Sequence, residues 1–207
     1  MELFSNLHPG WSFNTHGRAL VAVLITLFYD SSMRPQPNEA ASYYYGYINQ
    51  VTDDDVVPVL QRQLDETVTF LGDISEEQSL HRYAPGKWSM RELLNHVNDS
   101  ERVFLFRALW FARGFAEDLP GYDQEIGVAG GRADEFDWGN HIAEFRAVRQ
   151  ATLAFFYNLP AENLDAAQEV WNRTGIASGN PFTVRALAYI IAGHSAHHIA
   201  ILKERYL

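Results

Sequence analysis

Cysteine is absent from the 207 residues. No protein thiol is therefore available as nucleophile, redox partner or zinc ligand, and no disulfide framework exists. Basic side chains are scarce: 16 Lys plus Arg face 26 Asp plus Glu, a formal charge of −10. A chain this acidic lacks the bulk electrostatics of a nucleic-acid binder, and none is expected as a partner. Long apolar runs are missing too. The longest largely apolar stretch, Ala19 to Tyr29, has eleven residues with Thr26 inside it, whereas a spanning helix needs about 20. No membrane association is expected. The same stretch has the length of a signal-peptide core, but Arg18 is its only preceding cation and no small-x-small cleavage site follows. A cytoplasmic location is the expectation. The composition that remains, 47% apolar and 20% charged, suits a globular chain with one good-sized core.

Residues 1–32 differ from the rest. They hold one Arg and no Lys, show no clear period, and are followed by Met33, Arg34 and the Pro35/Pro37 pair, which disfavours a helix start. Two readings compete: an accessory extension, or upstream sequence ahead of a true start at Met33. The second is preferred, giving a leader of doubtful reality over 1–32 and one domain over 33–207.

Beyond residue 50 the apolar period is 3.5 to 3.6 residues almost wherever there is one. Val57, Leu60, Leu64 and Leu71 mark a helix over about 53–73, with three aspartates at the positive end of its dipole. Ser89 and Glu92 have capping-box spacing and open a second helix with Met90, Leu94, Val97, Phe104, Ala108 and Phe111 inward, ending near Gly114. A third runs from about Trp138 to Leu159. A fourth follows Thr183, a good N-cap, and continues to about Tyr206. Strand signals are sparse. The expected fold is all-α, a four-helix bundle with long connections over 74–88, 115–137 and 160–182. Connections of that length permit crossovers and often carry binding loops.

The fourth helix has imidazoles where its stripe calls for Leu or Ile: Val184, Leu187, Ile191, His194, His198, Ile201. An i, i+4 pair lies one turn apart on one face and can converge on one ion. A catalytic metal usually takes three protein ligands and keeps a position open. His96, on the second helix beside Leu93, Ser100 and Val103, is the candidate third. Of the remaining histidines, His197 reads as solvent-facing or supporting and His141 as a satisfied core or rim residue. His81 lies in a connection, and His8 and His16 are in the leader. Glu-x-x-His, Gly-x-Ser-x-Gly and Walker patterns are absent. Their absence removes the di-iron carboxylate, serine-hydrolase and phosphate-loop readings.

Two segments carry a family resemblance: Lys87 to Arg102 (KWSMRELLNHVNDSER) and Ala188 to Leu202 (AYIIAGHSAHHIAIL). The first is similar to the W-[ST]-x-x-E-x-x-x-H segment, and the second to the helix-four H-x-x-x-H, of the DinB-like (damage-inducible) superfamily of four-helix metalloproteins. The resemblance covers the chain from about Met33. It implies one divalent metal ion (Zn, Ni, Fe or Mn alike) on His96, His194 and His198. It also implies kinship with transferases that use bacillithiol, mycothiol or glutathione and with a mycothiol-dependent isomerase; other relatives have no assigned activity. Because the chain has no Cys, any thiolate must arrive with a cosubstrate. The expected function is a metal-dependent transferase that activates a low-molecular-weight thiol for attack on an electrophile, in detoxification or stress response. The alternatives are a metal-dependent hydrolase and a non-catalytic metal- or ligand-binding bundle.

Several other residues have candidate roles. Asp99, three residues after His96, either orients a ligand or takes a proton, or is a solvated or capping side chain. Tyr122 and Asp123, in a turn-forming loop, are candidate pocket residues for a small-molecule substrate, with ordinary loop packing as the alternative. A basic group in the pocket would suit an anionic thiol, and Arg107 and Arg185 are the ones to locate. Glu101 falls on the apolar stripe and is expected to pair with Arg102, Arg107 or Arg185. Trp88 reads as a lid on the core. The Tyr43–Tyr47 cluster either forms a homodimer face or packs back on its own bundle.

Overall fold

The computed structural model describes residues 34–159 and 169–207; the readings of the 1–32 leader, Met33, His8 and His16 lie outside these. A 3₁₀ turn, Ser42–Tyr44, leads into the short α1, Tyr45–Ile48. Then come α2 (Val56–Gly72), α3 (Met90–Ala112), α4 (Gln124–Gly131) and α5 (Trp138–Tyr157). A hairpin of β1 (Thr174–Ala177) and β2 (Asn180–Thr183) precedes α6 (Val184–Ile201), which ends in a π turn, Leu202–Tyr206. Among the described residues no helix is long and apolar enough to cross a membrane.

Three of the four long helices begin at a side-chain cap. The Ser89 hydroxyl accepts from Glu92 N–H at 3.0 Å while Glu92 Oε2 accepts from Ser89 N–H at 2.8 Å, a reciprocal cap. The Asp55 carboxylate accepts from Val57 N–H and the Thr183 hydroxyl from Ala186 N–H. Pro58 sits in the first turn of α2, where its missing N–H costs nothing.

The four long helices form a ring: α2 packs on α5, α5 on α3, α3 on α6, and α6 back on α2. Consecutive α2 and α3 are therefore diagonal, as are α5 and α6, with little or no contact within each pair. The long 73–89 connection makes the first of those diagonal crossings. Every residue of α6 from Val184 to Ser195 is buried, because α1, α2, α3 and β2 all pack on it. A helix apolar all round is a buried one, and the single stripe expected for this helix was too narrow.

A polar network ties the ring together inside. Arg149 (α5), fully buried, donates from Nε and Nη2 to both oxygens of Glu101 (α3) at 2.8 Å. Its Nη1 reaches the Leu60 carbonyl and Gln63 Oε1 on α2, and Gln63 Nε2 donates to the Ala192 carbonyl on α6. Glu101 thus pairs with Arg149 rather than with Arg102, Arg107 or Arg185. The sequence stripe correctly marked it as inward-facing but not which helix faces it.

Two connections hold structure that periodicity did not predict. In 115–137, α4 is capped by Asp123, which accepts from Glu125 and Ile126 N–H. It carries three glycines and buries only Val128, so it has no apolar stripe to detect. In 160–182 the hairpin turns on Ser178 (φ 54°) and Gly179 (φ 70°), the two positive φ values of a type I′ turn. Leu119 then zips alongside β1: its N–H donates to the Ile176 carbonyl at 3.0 Å and its carbonyl accepts from Ser178 N–H at 2.9 Å.

Candidate metal centre

The three histidines meet. His96 is in the second turn of α3, and His194 and His198 lie one turn apart on α6, the helix packed directly against it. Nε2 of His194 lies 3.1 Å from Nε2 of His96 and 3.1 Å from Nε2 of His198. The three ligand atoms all fall within 4.8 Å of one another. An imidazole nitrogen carries either one proton or one lone pair in the ring plane. The single Nε2 of His194 can satisfy one of its two neighbours, not both. Nδ1 of His198 is buried with no partner among the described residues. The described residues thus offer no hydrogen-bonding scheme that satisfies all three Nε2 atoms, whereas a cation shared by their lone pairs satisfies them. Two nitrogens on one tetrahedral ion at about 2.0–2.1 Å lie roughly 3.3–3.4 Å apart, so the donor set fits a divalent ion with little adjustment.

The electrostatics hold the cluster in the form that binds metal. Burial pushes His96 down to about 4. Burial, with the His96 and His197 rings adding to it, pushes His198 down to about 3. His194 is held well below the ordinary imidazole range, by burial first and then by its three histidine neighbours. All three are neutral at pH 7, as ligands must be.

The surroundings are specific. Trp88 stands with its ring centroid 5.0 Å from that of His96. Ser100 Oγ lies 3.4 Å from His96 Nδ1. Tyr47 sets its ring 5.2 Å from His194 and 5.4 Å from His197. It does so because residue 193 is glycine: a Cβ there would run into the Tyr47 carbonyl. The tyrosine cluster accordingly folds back on its own bundle, with Tyr44 edge-on to Phe104 and Phe182 and only Tyr43 largely exposed, at 70%.

A cavity of about 200 Å³ opens beside His96 and His194. Its wall includes Tyr47, Ser100, Arg107, Tyr122, Gln124 and Ser178. The Leu119 zipper brings the Tyr122 loop and the Ser178 turn to this point together. Of the predicted residues, Tyr122 lines the cavity and its hydroxyl donates toward Asp99 Oδ2 at 3.5 Å. Asp99 stands behind Tyr122, pairs with Arg102 at 3.3 Å, and is not part of the wall. Burial raises its pKa against the opposing pull of Arg102. Asp123 is spent on capping α4, which carries Gln124 to the cavity. Arg107 is in the wall, whereas Arg185 is paired with Glu39 elsewhere. His141 is a satisfied core histidine, its Nε2 2.9 Å from the Ala133 carbonyl.

The sequence profile of the DinB superfamily matches residues 60–202. The chain belongs to the DinB superfamily. A solved structure of similar fold is YfiT from Bacillus subtilis, described as "a probable metal-dependent hydrolase with an unusual four-helix bundle topology". It is 16% identical, with a TM-score of 0.59 over 86% of this chain and 93% of that one. At that identity the likeness is one of fold. No curated protein matches by sequence.

Sequence reasoning did not assign Tyr47 or Gln124 to the site of this DinB-superfamily protein; Ser178 falls within 175–181, a stretch read as a candidate rim of the site, and lines the cavity. Gly193, a lone glycine in an otherwise bulky buried helix and adjacent to His194, was the available signal for Tyr47, since such a residue marks a close backbone approach.

Proposed function

We propose that this DinB-superfamily protein is a metal-dependent enzyme that holds one divalent ion on His96, His194 and His198 and uses it to activate a low-molecular-weight thiol for attack on an electrophile. The observation that carries the reading is the convergence of three neutral Nε2 atoms for which no hydrogen-bonding scheme among the described residues suffices. When bound, such an ion supplies Lewis acidity that lowers the pKa of a water or thiol beside it.

The chain's own residues do the rest. Ser100 steadies the His96 ring, and Trp88 and Tyr47 cover the imidazoles from solvent. Tyr122, held by Asp99, offers its phenol to the small-molecule substrate, and the Asp123 cap fixes Gln124 at the wall. Asp99 acts through Tyr122 rather than on the reacting atoms. Among the described residues the cavity wall has no carboxylate to serve as a base. A thiol, with its lower intrinsic pKa, needs that help less than water does, which supports transfer over hydrolysis. The description of YfiT supports the hydrolase as a second reading. Homodimer formation belongs to the same proposal, supported by Phe106, Leu109 and Phe115, which are exposed around the C-terminal end of α3.

The test is metal content per chain by mass spectrometry, on protein purified without a histidine tag or chelator, beside His96→Ala and His194→Ala. About one ion per chain, lost in both variants, is expected. A wild type that takes up no added Zn, Ni, Mn or Fe overturns the reading. Mass analysis of products from an electrophile offered with and without bacillithiol or glutathione then separates transfer from hydrolysis.

A further inference from the structure

Four arginines are buried among the described residues, and three of them have a carboxylate partner: Arg91 with Glu76, Arg149 with Glu101, Arg185 with Glu39. The fourth, Arg107, is 4% exposed and pairs with no described carboxylate. Its one hydrogen bond among the described residues runs from Nη2 to the Pro120 carbonyl at 3.1 Å. Phe104 and Phe182 flank the guanidinium, with ring centroids 5.8 and 5.9 Å away. A guanidinium does not shed its proton in a protein, and buried charges are as a rule paired.

Arg107 is also the one charged side chain in the described wall of the cavity; its neighbours there, Tyr47, Ser100, Tyr122, Gln124 and Ser178, are uncharged and can hydrogen-bond. In a chain with a net charge of −10, this wall carries positive charge only. Arg107 follows His96 by eleven residues, three helical turns on one face of α3, about 16 Å between Cα atoms. Helical side chains lean toward the N-terminus, so the guanidinium leans along the cavity toward the histidines.

We infer that the small molecule acted on in this cavity bears an oxyanion group, a carboxylate or a phosphate, and that Arg107 receives it while the reacting atom lies at the histidine end. The planar fork of donors left over by Pro120 suits either anion. The position of the reacting atom rests on the metal-centre reading above; anion binding by Arg107 does not.

The experiment follows the Arg107 Nε–H resonance of the full chain at pH 7, assigned by its loss in Arg107→Lys. Butyrate, inorganic phosphate and the neutral butyramide are titrated into chelator-stripped and metal-reloaded protein. Saturable shifts with butyrate or phosphate, but not with butyramide, are expected in both forms, and the tighter of the two anions names the group. Calorimetry on Arg107→Met should show at least about tenfold weaker binding. Arg107→Lys, which keeps the charge but loses the fork, should be about three- to tenfold weaker. Equal binding of butyrate and butyramide overturns the proposal. So does unchanged anion binding in Arg107→Lys and Arg107→Met, since the receptor would then lie elsewhere, and so does anion binding that needs the metal and ignores both substitutions. A protein that holds no metal but still binds anions through Arg107 would overturn the metal-centre reading and leave this one standing.

Discussion

The backbone carbonyl of Tyr47 occupies the space that a side chain on Gly193 would need, and this contact seats the Tyr47 ring against His194. The short helix α1 and the helix that carries His194 are thereby in register at one atom. Gly193→Ala must push α1 outward. Overpacking of this kind costs about 1–3 kcal/mol, on the order of 3–10 °C in Tm for a domain of this size. Thermal unfolding measures it, and an unchanged Tm would show that α1 does not bear on α6 in solution.

Breaking the Arg149–Glu101 pair leaves one charge buried alone. Arg149→Met should cost about 3–5 kcal/mol in urea unfolding. Adding Glu101→Leu removes the stranded carboxylate and should restore more than half of that loss. If the double variant is no more stable than the single one, the cost lies in the contacts of Arg149 to Leu60 and Gln63 instead.

Glu39 supplies a pH signature. Burial by itself pushes its carboxyl up, but hydrogen bonds from Arg185, the Gln36 N–H and Thr183, together with the Arg185 charge, outweigh burial and hold it below its ordinary value of 4.5. The folded pKa is thus the lower one, so the unfolded chain takes up the proton first as the pH falls. The stabilisation is complete above about pH 5 and fades as the pH drops through the folded value. The stability gap between wild type and Glu39→Gln should be widest at neutral pH and narrow between about pH 5 and 3. A gap independent of pH would mean that Glu39 is not ionised in the folded protein.

Divalent ions should stabilise the wild type as ligands of the native state alone. At a hundredfold excess over Kd the gain is about 2.7 kcal/mol. It should reverse on adding a chelator and be absent in His194→Ala. Equal stabilisation of wild type and variant would assign the effect to surface carboxylates.

Much of this was legible in the residues. Ser89, Glu92 and Thr183 mark helix starts by chemistry that acts within a turn, and imidazoles at His194 and His198 stand out because they replace apolar residues in a regular stripe. Ser100 and Val103, read as sharing a side with His96, do line the cavity. What escaped depends on distance along the chain. Glu101 meets Arg149 across 48 residues, and no local pattern selects that arginine among fourteen. The helix α4, glycine-rich and half solvated, has nothing periodic to detect, and the hairpin strands are too short for an alternation to register.

The diagonal placement of consecutive helices has a consequence for how the site comes into being. A cut in the 113–123 loop would leave one fragment with α2 and α3 and another with α5 and α6. Each pair shares little or no interface, so neither fragment can cover its own apolar faces. One fragment carries His96 and the other carries His194 and His198. The cluster is therefore split across two halves that need each other to fold, and ligand geometry arises only when the whole ring closes. Metal capture would then report on completion of the entire bundle, and two separately expressed fragments would recover it only on mixing.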